Sequence, residues 1–343
     1  MLDQNHAKTT HGLLRNPKRF MIQAVIDPKF GGKDAGEILD GINRNIPVYN
    51  SVQDFVNQGG KAEYCIIGVA TEGGFLPPPM KADIISALKH NMSIINGLHE
   101  FLNDDRELKR LADENGVLIH DIRKPRPKSE LAFWTGEIFN VKQTKIAVLG
   151  MDCAMGKRTT ANMLANELIK RSYKAEMIFT GQTGWMEGWH YGFILDTTTN
   201  DFVSGELEHA IVSCAKEVSP DIMIIEGQSG LRNFSGPCGS ELLLSGDLDG
   251  VVLQYAPNRK YFIDFESQGL EIPTLKSEMD LIGMYGKQVI AITLYTEGLT
   301  PEEARQWRQK YQDELGVPVA LPLEEGVERI LPVIENLIKT KKT

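Results

Sequence analysis

Along this chain, short apolar runs alternate with stretches whose apolar residues recur at helical spacing. In the first half the apolar runs are Phe20 to Ile26, Tyr64 to Val69, Met92 to Ile95 and Val117 to Ile119. In the second half they cover 145 to 149, 175 to 180, 221 to 225, 249 to 254, 288 to 294 and 317 to 321. Runs of this length separated by helical patterns predict an α/β fold, with a mainly parallel, doubly wound sheet in each half. Ligands of such sheets sit at the carboxyl ends of the strands. The fragment Lys124-Pro-Arg-Pro-Lys128 interrupts both periodicities and reads as a linker. The second half begins near Val141, so the expected domains are residues 1–140 and 141–343. One helix start is well marked, with Thr300 as cap, Pro301 in the first turn and Glu303 completing a capping box.

Candidate chemistry is densest at Lys145-Ile-Ala-Val-Leu-Gly-Met-Asp-Cys-Ala-Met-Gly-Lys-Arg-Thr-Thr160. A buried strand breaks at Gly150, and Leu164, Leu168 and Ile169 mark a helix over Thr159 to Lys170. Glycines and a lysine between strand and helix are the sequence form of a phosphate-binding loop. Its backbone amides and the positive helix end face an anion, and the lysine adds a mobile cation. The candidate cradle is Gly150, Asp152, Cys153, Ala154, Met155, Gly156, Lys157, Arg158, Thr159 and Thr160. Two departures stand out. Five residues, not four, separate Gly150 from Gly156. Arg158 also stands where nucleotide hydrolases place the hydroxyl that ligates magnesium. Thr159 is one residue on, about 100° around the helix, and does not inherit that role automatically.

Composition narrows the partners. The 343 residues are 42% apolar and 24% charged, ordinary for a globular protein. A net charge of −9 and the lack of a basic cluster beside an aromatic platform argue against nucleic acid. No apolar run approaches the roughly 18 residues of a membrane span, and the N-terminus lacks a signal-peptide core. The expectation is a cytoplasmic homo-oligomer acting on a small molecule, away from membranes. Cys65, Cys153, Cys214 and Cys238 lack paired metal-ligand spacing, so no metal site is expected of them.

Other polar residues sit where strands end. Asp221-Ile-Met-Ile-Ile-Glu226-Gly-Gln-Ser-Gly230 is a strand closing on a carboxylate and a glycine turn, which points Glu226 toward the phosphate loop. Thr180-Gly-Gln-Thr-Gly184 follows another strand, where Gly181, Gln182, Thr183 and Gly184 could hold a polar ligand. Asp196 and Asp201 precede a helix, as catalytic acids or caps. His99 lies just beyond a first-half strand and has a suitable intrinsic pKa for acid–base work. Gly31 to Gly36 resembles an anion-approaching loop but lacks dinucleotide spacing.

These landmarks resemble known families. Gly150-x-Asp152-x-x-x-Gly156-Lys157 with strand-borne Glu226-Gly227 is distantly similar to dethiobiotin synthetase. Gly12-Leu-Leu-Arg15, Val25-Ile-Asp27, Gly32-Lys-Asp-Ala-Gly36, Leu76-Pro-Pro78, Gly97-Leu-His-Glu-Phe-Leu102, Asp121-Ile-Arg123, Thr159-Thr160, Gly181-Gln-Thr-Gly184 and Glu226-Gly-Gln228 look like the D-glutamate N-acetyltransferase family, formerly a domain of unknown function. That resemblance spans nearly the whole chain. It implies a Rossmann-like N-terminal domain, a P-loop C-terminal domain, and acetyl transfer from acetyl-CoA to an amino acid such as D-glutamate. Ser229 to Pro237 departs from the family pattern. Coenzyme A presents phosphates to be bound rather than transferred, so a loop without a magnesium hydroxyl suits it. Such a reaction needs a base, for which Glu226, Asp196, Asp201 and His99 are candidates, and oxyanion donors, for which loop 181–184 is one. Gln228 and Arg232 are candidate substrate contacts, Arg232 as a bidentate carboxylate clamp. The alternative is a kinase or ligase using ATP and magnesium, with Thr159 or Thr160 and Glu226 as metal partners.

Overall fold

The computed structural model describes residues 1–342. The chain divides into two compact units, one of Met1–Arg126 with Gln182–Gly188, the other of Pro127–Gly181 with Trp189–Thr343.

In the first unit, β1 (Val25–Ile26) pairs in parallel with β2 (Val48–Tyr49). Three further strands, β3 (Tyr64–Ile66), β4 (Ser93–Asn96) and β5 (Ile119–Asp121), form a parallel sheet in that order. Helices Pro78–Lys89 and Arg106–Asn115 make the crossovers between them. The second of these shows why its sequence is helical. Asp105 caps it by accepting from the Glu107 and Leu108 amides, Leu108, Leu111 and Ala112 form its buried stripe, and Gly116 ends it in a left-handed turn. Ile84, Leu88, Ile94, Leu98 and Leu108 form the core beneath the sheet. The expected strand from Phe20 to Ile26 contracts to two residues. β2 is too short to have shown a period. The glycine loop 31–36 organises itself around its own carboxylate: Asp34 accepts from the amides of Gly36, Glu37, Arg44 and Ile46, the donors an anion would otherwise use.

The second unit is built on a six-stranded sheet of β6 (Thr144–Gly150), β7 (Ala175–Ile178), β8 (Ile222–Glu226), β9 (Gly250–Tyr255), β10 (Val289–Leu294) and β11 (Val319–Ala320). The spatial order is β11-β10-β9-β6-β8-β7, and every pairing is parallel. All seven residues of β6 are buried, as a central strand covered on both faces requires. Ala147, Leu149, Ile225, Leu253, Leu207 and Ile211 belong to its core, the leucines and isoleucines each worth about 1.5–3 kcal/mol of burial. Helix Lys157–Lys170 carries the chain from β6 toward β7, whereas helix Leu275–Met284 carries it from β9 toward β10 on the other side. Adjacent strands whose connections leave in opposite directions open a crevice at their carboxyl ends, and the phosphate loop occupies it.

The break between units falls at 126/127, inside the Pro-rich linker, rather than at 140/141. The reason is a pair of buried glutamates on helix Asn200–Glu217. Glu206 accepts from the Ala132 amide, and Glu208 from the Thr135 amide and hydroxyl and the Ile138 amide. The segment before Val141 is thereby packed with the second unit. A second departure is helix Gln182–Glu187, which is grouped with the first unit although its sequence lies in the second half.

Candidate functional site

The loop after β6 is held from outside. Asp152 is fully buried, and both its oxygens are used inside the protein: Oδ1 accepts from the Cys153 amide (2.7 Å) and Asn233 Nδ2 (2.8 Å). Oδ2 accepts from the Ile263 amide (2.8 Å) and Arg259 Nη1 (3.1 Å). Arg259 also donates to the carbonyls of Cys153 (2.7 Å) and Ala154 (3.2 Å). A trans peptide points its N–H opposite its C=O, so fixing those two carbonyls on Arg259 aims the Ala154 and Met155 amides the other way. Asp152 thereby holds the loop from within the protein.

Ala154 (φ 48°) and Gly156 (φ 93°) adopt left-handed backbone, the alternation that shapes an anion-binding concavity. Gly156 is the N-cap of helix Lys157–Lys170, with no side-chain cap bond and no acidic residue in the first turn. The positive helix end therefore has no side-chain cap and no first-turn carboxylate of its own. Met155 is buried in the core. Lys157 is also buried and donates from Nζ to the Asp152 carbonyl (2.5 Å), folded back over its own loop. Arg158 and Thr159 are partly exposed in the first helical turn. Thr160 is directed into the sheet, where its hydroxyl donates to Gln254 Oε1 (2.7 Å), as the Thr293 hydroxyl does (2.7 Å).

The turn after β8 is packed on the start of the loop. A Cβ at Gly230 would lie 2.7 Å from the Met151 carbonyl carbon and 2.9 Å from the Gly150 oxygen, so only glycine permits this approach. Glu226 ends β8, in register with Val148, and is 4% exposed. Its Oε2 accepts from the Thr180 amide (3.0 Å) and its carbonyl from the Thr180 hydroxyl (2.7 Å). Gln228 Nε2 donates to the same hydroxyl (3.0 Å). Gly181 lies against Gln228, so Glu226, Gln228, Thr180 and Gly181 form one polar group beside the loop. Cys153 Sγ is 3.5 Å from Ser229 Oγ.

Other expected residues stand elsewhere. Arg232 is engaged inside the protein, donating from Nε to Glu278 (2.7 Å) and from Nη2 to Ser277 (2.8 Å), because the buried Glu278 needs a counter-charge. Residues 181–184 do not form a single loop. Gly181 closes the second unit's segment, and Gln182, Thr183 and Gly184 open the short helix grouped with the first unit. There Gln182 Oε1 accepts from Arg123 Nη2 (2.8 Å) and Thr183 Oγ1 lies 3.1 Å from Thr9 Oγ1. Asp196 and Asp201 are exposed, Asp201 in a first helical turn where a carboxylate complements the helix dipole. His99 is exposed in the first unit. Its pKa is lowered by burial of part of the ring, then by Arg123 and Lys8 beside it. Burial pushes the Cys65 and Cys214 thiols up to about 12, and Cys238 higher still, so these three are poor nucleophiles.

Arg259, Asn233, Gln254 and Arg123 were not singled out for a role by the sequence. Arg259 had one legible signal, a basic residue just beyond β9, the neighbour of β6.

The second half of the chain, residues 132–331, matches the P-loop domain of a family described as a domain of unknown function, DUF1611. Residues 28–125 match its N-terminal Rossmann-like domain. A D-glutamate N-acetyltransferase of Tritonibacter scottomollicae is 25% identical over 308 residues, covering 86% of this chain and 88% of that protein. One from Pseudoalteromonas sp is 28% identical over 281 residues, covering 79% and 80%. A solved DUF1611 family protein from Anabaena variabilis is 27% identical, with a TM-score of 0.86 over 99% of this chain and 96% of that one. The domain matches and the full-length structural likeness agree with a phosphate loop set in a parallel sheet, and the chain belongs to the DUF1611 family, with a Rossmann-like N-terminal domain and a P-loop C-terminal domain.

Proposed function

We propose that the protein is an N-acetyltransferase that moves the acetyl group of acetyl-CoA to the amine of an amino acid such as D-glutamate. The observation that carries this reading is the pair of relatives named D-glutamate N-acetyltransferase, each matched over more than three quarters of this chain. The loop supports it. An uncapped helix start, left-handed turns at Ala154 and Gly156, and Lys157 fit the pyrophosphate of coenzyme A. Arg158 in place of the magnesium hydroxyl, and a Thr160 hydroxyl given to Gln254, suit phosphates that are held and not transferred.

In this reaction the amine nitrogen attacks the thioester carbonyl, the carbon–sulfur bond breaks, and the sulfur leaves as coenzyme A thiolate. A base takes the proton that the amine loses. Glu226 is the group we assign to that role. The Thr180 amide fixes one of its oxygens, which orients the carboxylate, and its place at a strand end beside the loop suits a reacting group. Backbone amides after β6 and β7 are the candidate donors for the oxyanion.

The test is acetylation of D-glutamate by the purified protein, followed by thiol release. Wild type is expected to turn over without magnesium, and Glu226→Gln to lose about 100-fold or more in kcat with little change in acetyl-CoA affinity. Full turnover in Glu226→Gln removes Glu226 as base. Absence of any acetyl transfer, together with magnesium-dependent ATP consumption, overturns the acetyltransferase reading.

A further inference from the structure

In the second unit, helix Asn200–Glu217 fixes residues 131–139 by two devices. Glu206 and Glu208 accept from the amides of Ala132, Thr135 and Ile138. Gly205 lets the two backbones close in, since a Cβ there would stand 2.2 Å from the Ala132 carbonyl oxygen. The segment so held turns aromatic side chains outward: Phe133 is 66% exposed, Phe139 61% and Trp134 36%. The rings are ordered by one another. Phe133 meets Phe202 edge to face (6.1 Å between centroids, 85°), and Trp134 meets Phe139 in the same way (5.8 Å, 84°). Charges of both signs accompany them. Lys128, Glu130, Glu137 and Lys142 are exposed along the same stretch of chain, and Lys216 of the helix pairs with Glu137 (2.5 Å).

We propose that this aromatic face is the contact through which two copies of the chain form a two-fold dimer, an inference that does not depend on the acetyltransferase reading. The three rings expose on the order of 300 Å², an apolar centre for the roughly 800 Å² that a dimer buries on each partner. Because the backbone beneath them is already fixed, the rings lose little freedom on docking. Charge selects the occupant. The whole chain carries −9, so two copies repel over most of their surface. On this face three lysines stand against two glutamates, which leaves +1. A two-fold axis through the rings turns the Lys128–Glu130 end of one segment onto the Glu137–Lys142 end of the other, and each end carries both signs, so opposite charges can meet at both rims. A membrane surface instead calls for a basic rim free of acids. A peptide ligand calls for a concave groove, whereas these rings project.

The experiment is sedimentation velocity of the full chain from about 0.1 to 50 μM, a range that brackets a micromolar Kd. Wild type is expected to pass from monomer to dimer across it. Trp134→Glu and Phe139→Glu should each weaken the dimer at least about 100-fold, because each substitution enters a two-fold contact twice and puts an unpaired charge at its centre. Far-UV circular dichroism checks that both variants keep the wild-type fold. Hydrogen exchange of the wild type supplies a readout that needs no substitution: exchange across residues 131–140 should slow as concentration rises through dimer formation. A wild type that stays monomeric throughout overturns the proposal. So does a dimer of unchanged strength in both variants, or protection that grows with concentration in other segments and not in 131–140.

Discussion

Asp152 concentrates the chemistry of the loop into one buried carboxylate. Replacing it with Asn leaves an amide whose NH2 faces a donor whichever way it turns, since Cys153, Asn233, Ile263 and Arg259 surround it. We expect Asp152→Asn to cost about 3 kcal/mol, read as a lower urea midpoint, and to weaken ligands of the loop by loosening its backbone. Lys145 presents the opposite case. It is fully buried at the far end of β6, 3.6 Å from Asp247, and burial, with Lys341 nearby, lowers its pKa to about 8. A lysine with a depressed folded pKa binds more protons when unfolded, so it destabilises the fold at pH 7 and ceases to do so above its unfolded value of 10.5. Lys145→Met should therefore stabilise by about 1–2 kcal/mol at pH 7, an advantage that fades as pH rises from 8 to 10.5 in denaturation curves. Neither role was legible from sequence. Gly156-Lys157 could be read because strand, turn and helix are contiguous, whereas the Arg259 latch and the Glu278 counter-charge on Arg232 join residues far apart in the chain. The hydrogen bonds that tie Asp152 to Asn233, Arg259 and Ile263 were invisible for the same reason.

Elements were more legible than contacts, because periodicity is local. β6, β8, β9 and β10 lie where their apolar runs end, and the Thr300, Pro301 and Glu303 signature forms the capping box it spells. The segment 127–141 is grouped with the second unit, and nothing in its own sequence shows that helix Asn200–Glu217 will bind it. Glu208 is the anchor. Burial alone would raise its pKa, but the Thr135 and Ile138 amides outweigh that and hold it below 4.5. A carboxylate with a depressed folded pKa stabilises above its unfolded value and loses that contribution as pH falls through the folded one. Glu208→Ala is expected to cost about 2–3 kcal/mol near pH 7 and to expose residues 127–141 to limited proteolysis. The stability difference from wild type should shrink below pH 4.5. A difference independent of pH would remove the charged anchor from the account.

For the whole molecule, a net charge of −9 makes any anion site a local exception, and under the proposed function the loop after β6 is one, supplied by backbone dipoles and Lys157. Two α/β halves were readable because each repeats the strand–helix alternation, and the family resemblance implied the Rossmann-like and P-loop domains that the family models match. The relatives' names add a transferred group and an acceptor that no pattern of strands can specify. The central claim is that this loop grips coenzyme A by its phosphates without magnesium. Titration of acetyl-CoA into wild type and Lys157→Ala, with EDTA present, tests it most directly. The account predicts saturable binding by wild type and at least about tenfold weaker binding by the variant; equal binding by both proteins, or binding of ATP with magnesium and not of acetyl-CoA, would contradict it.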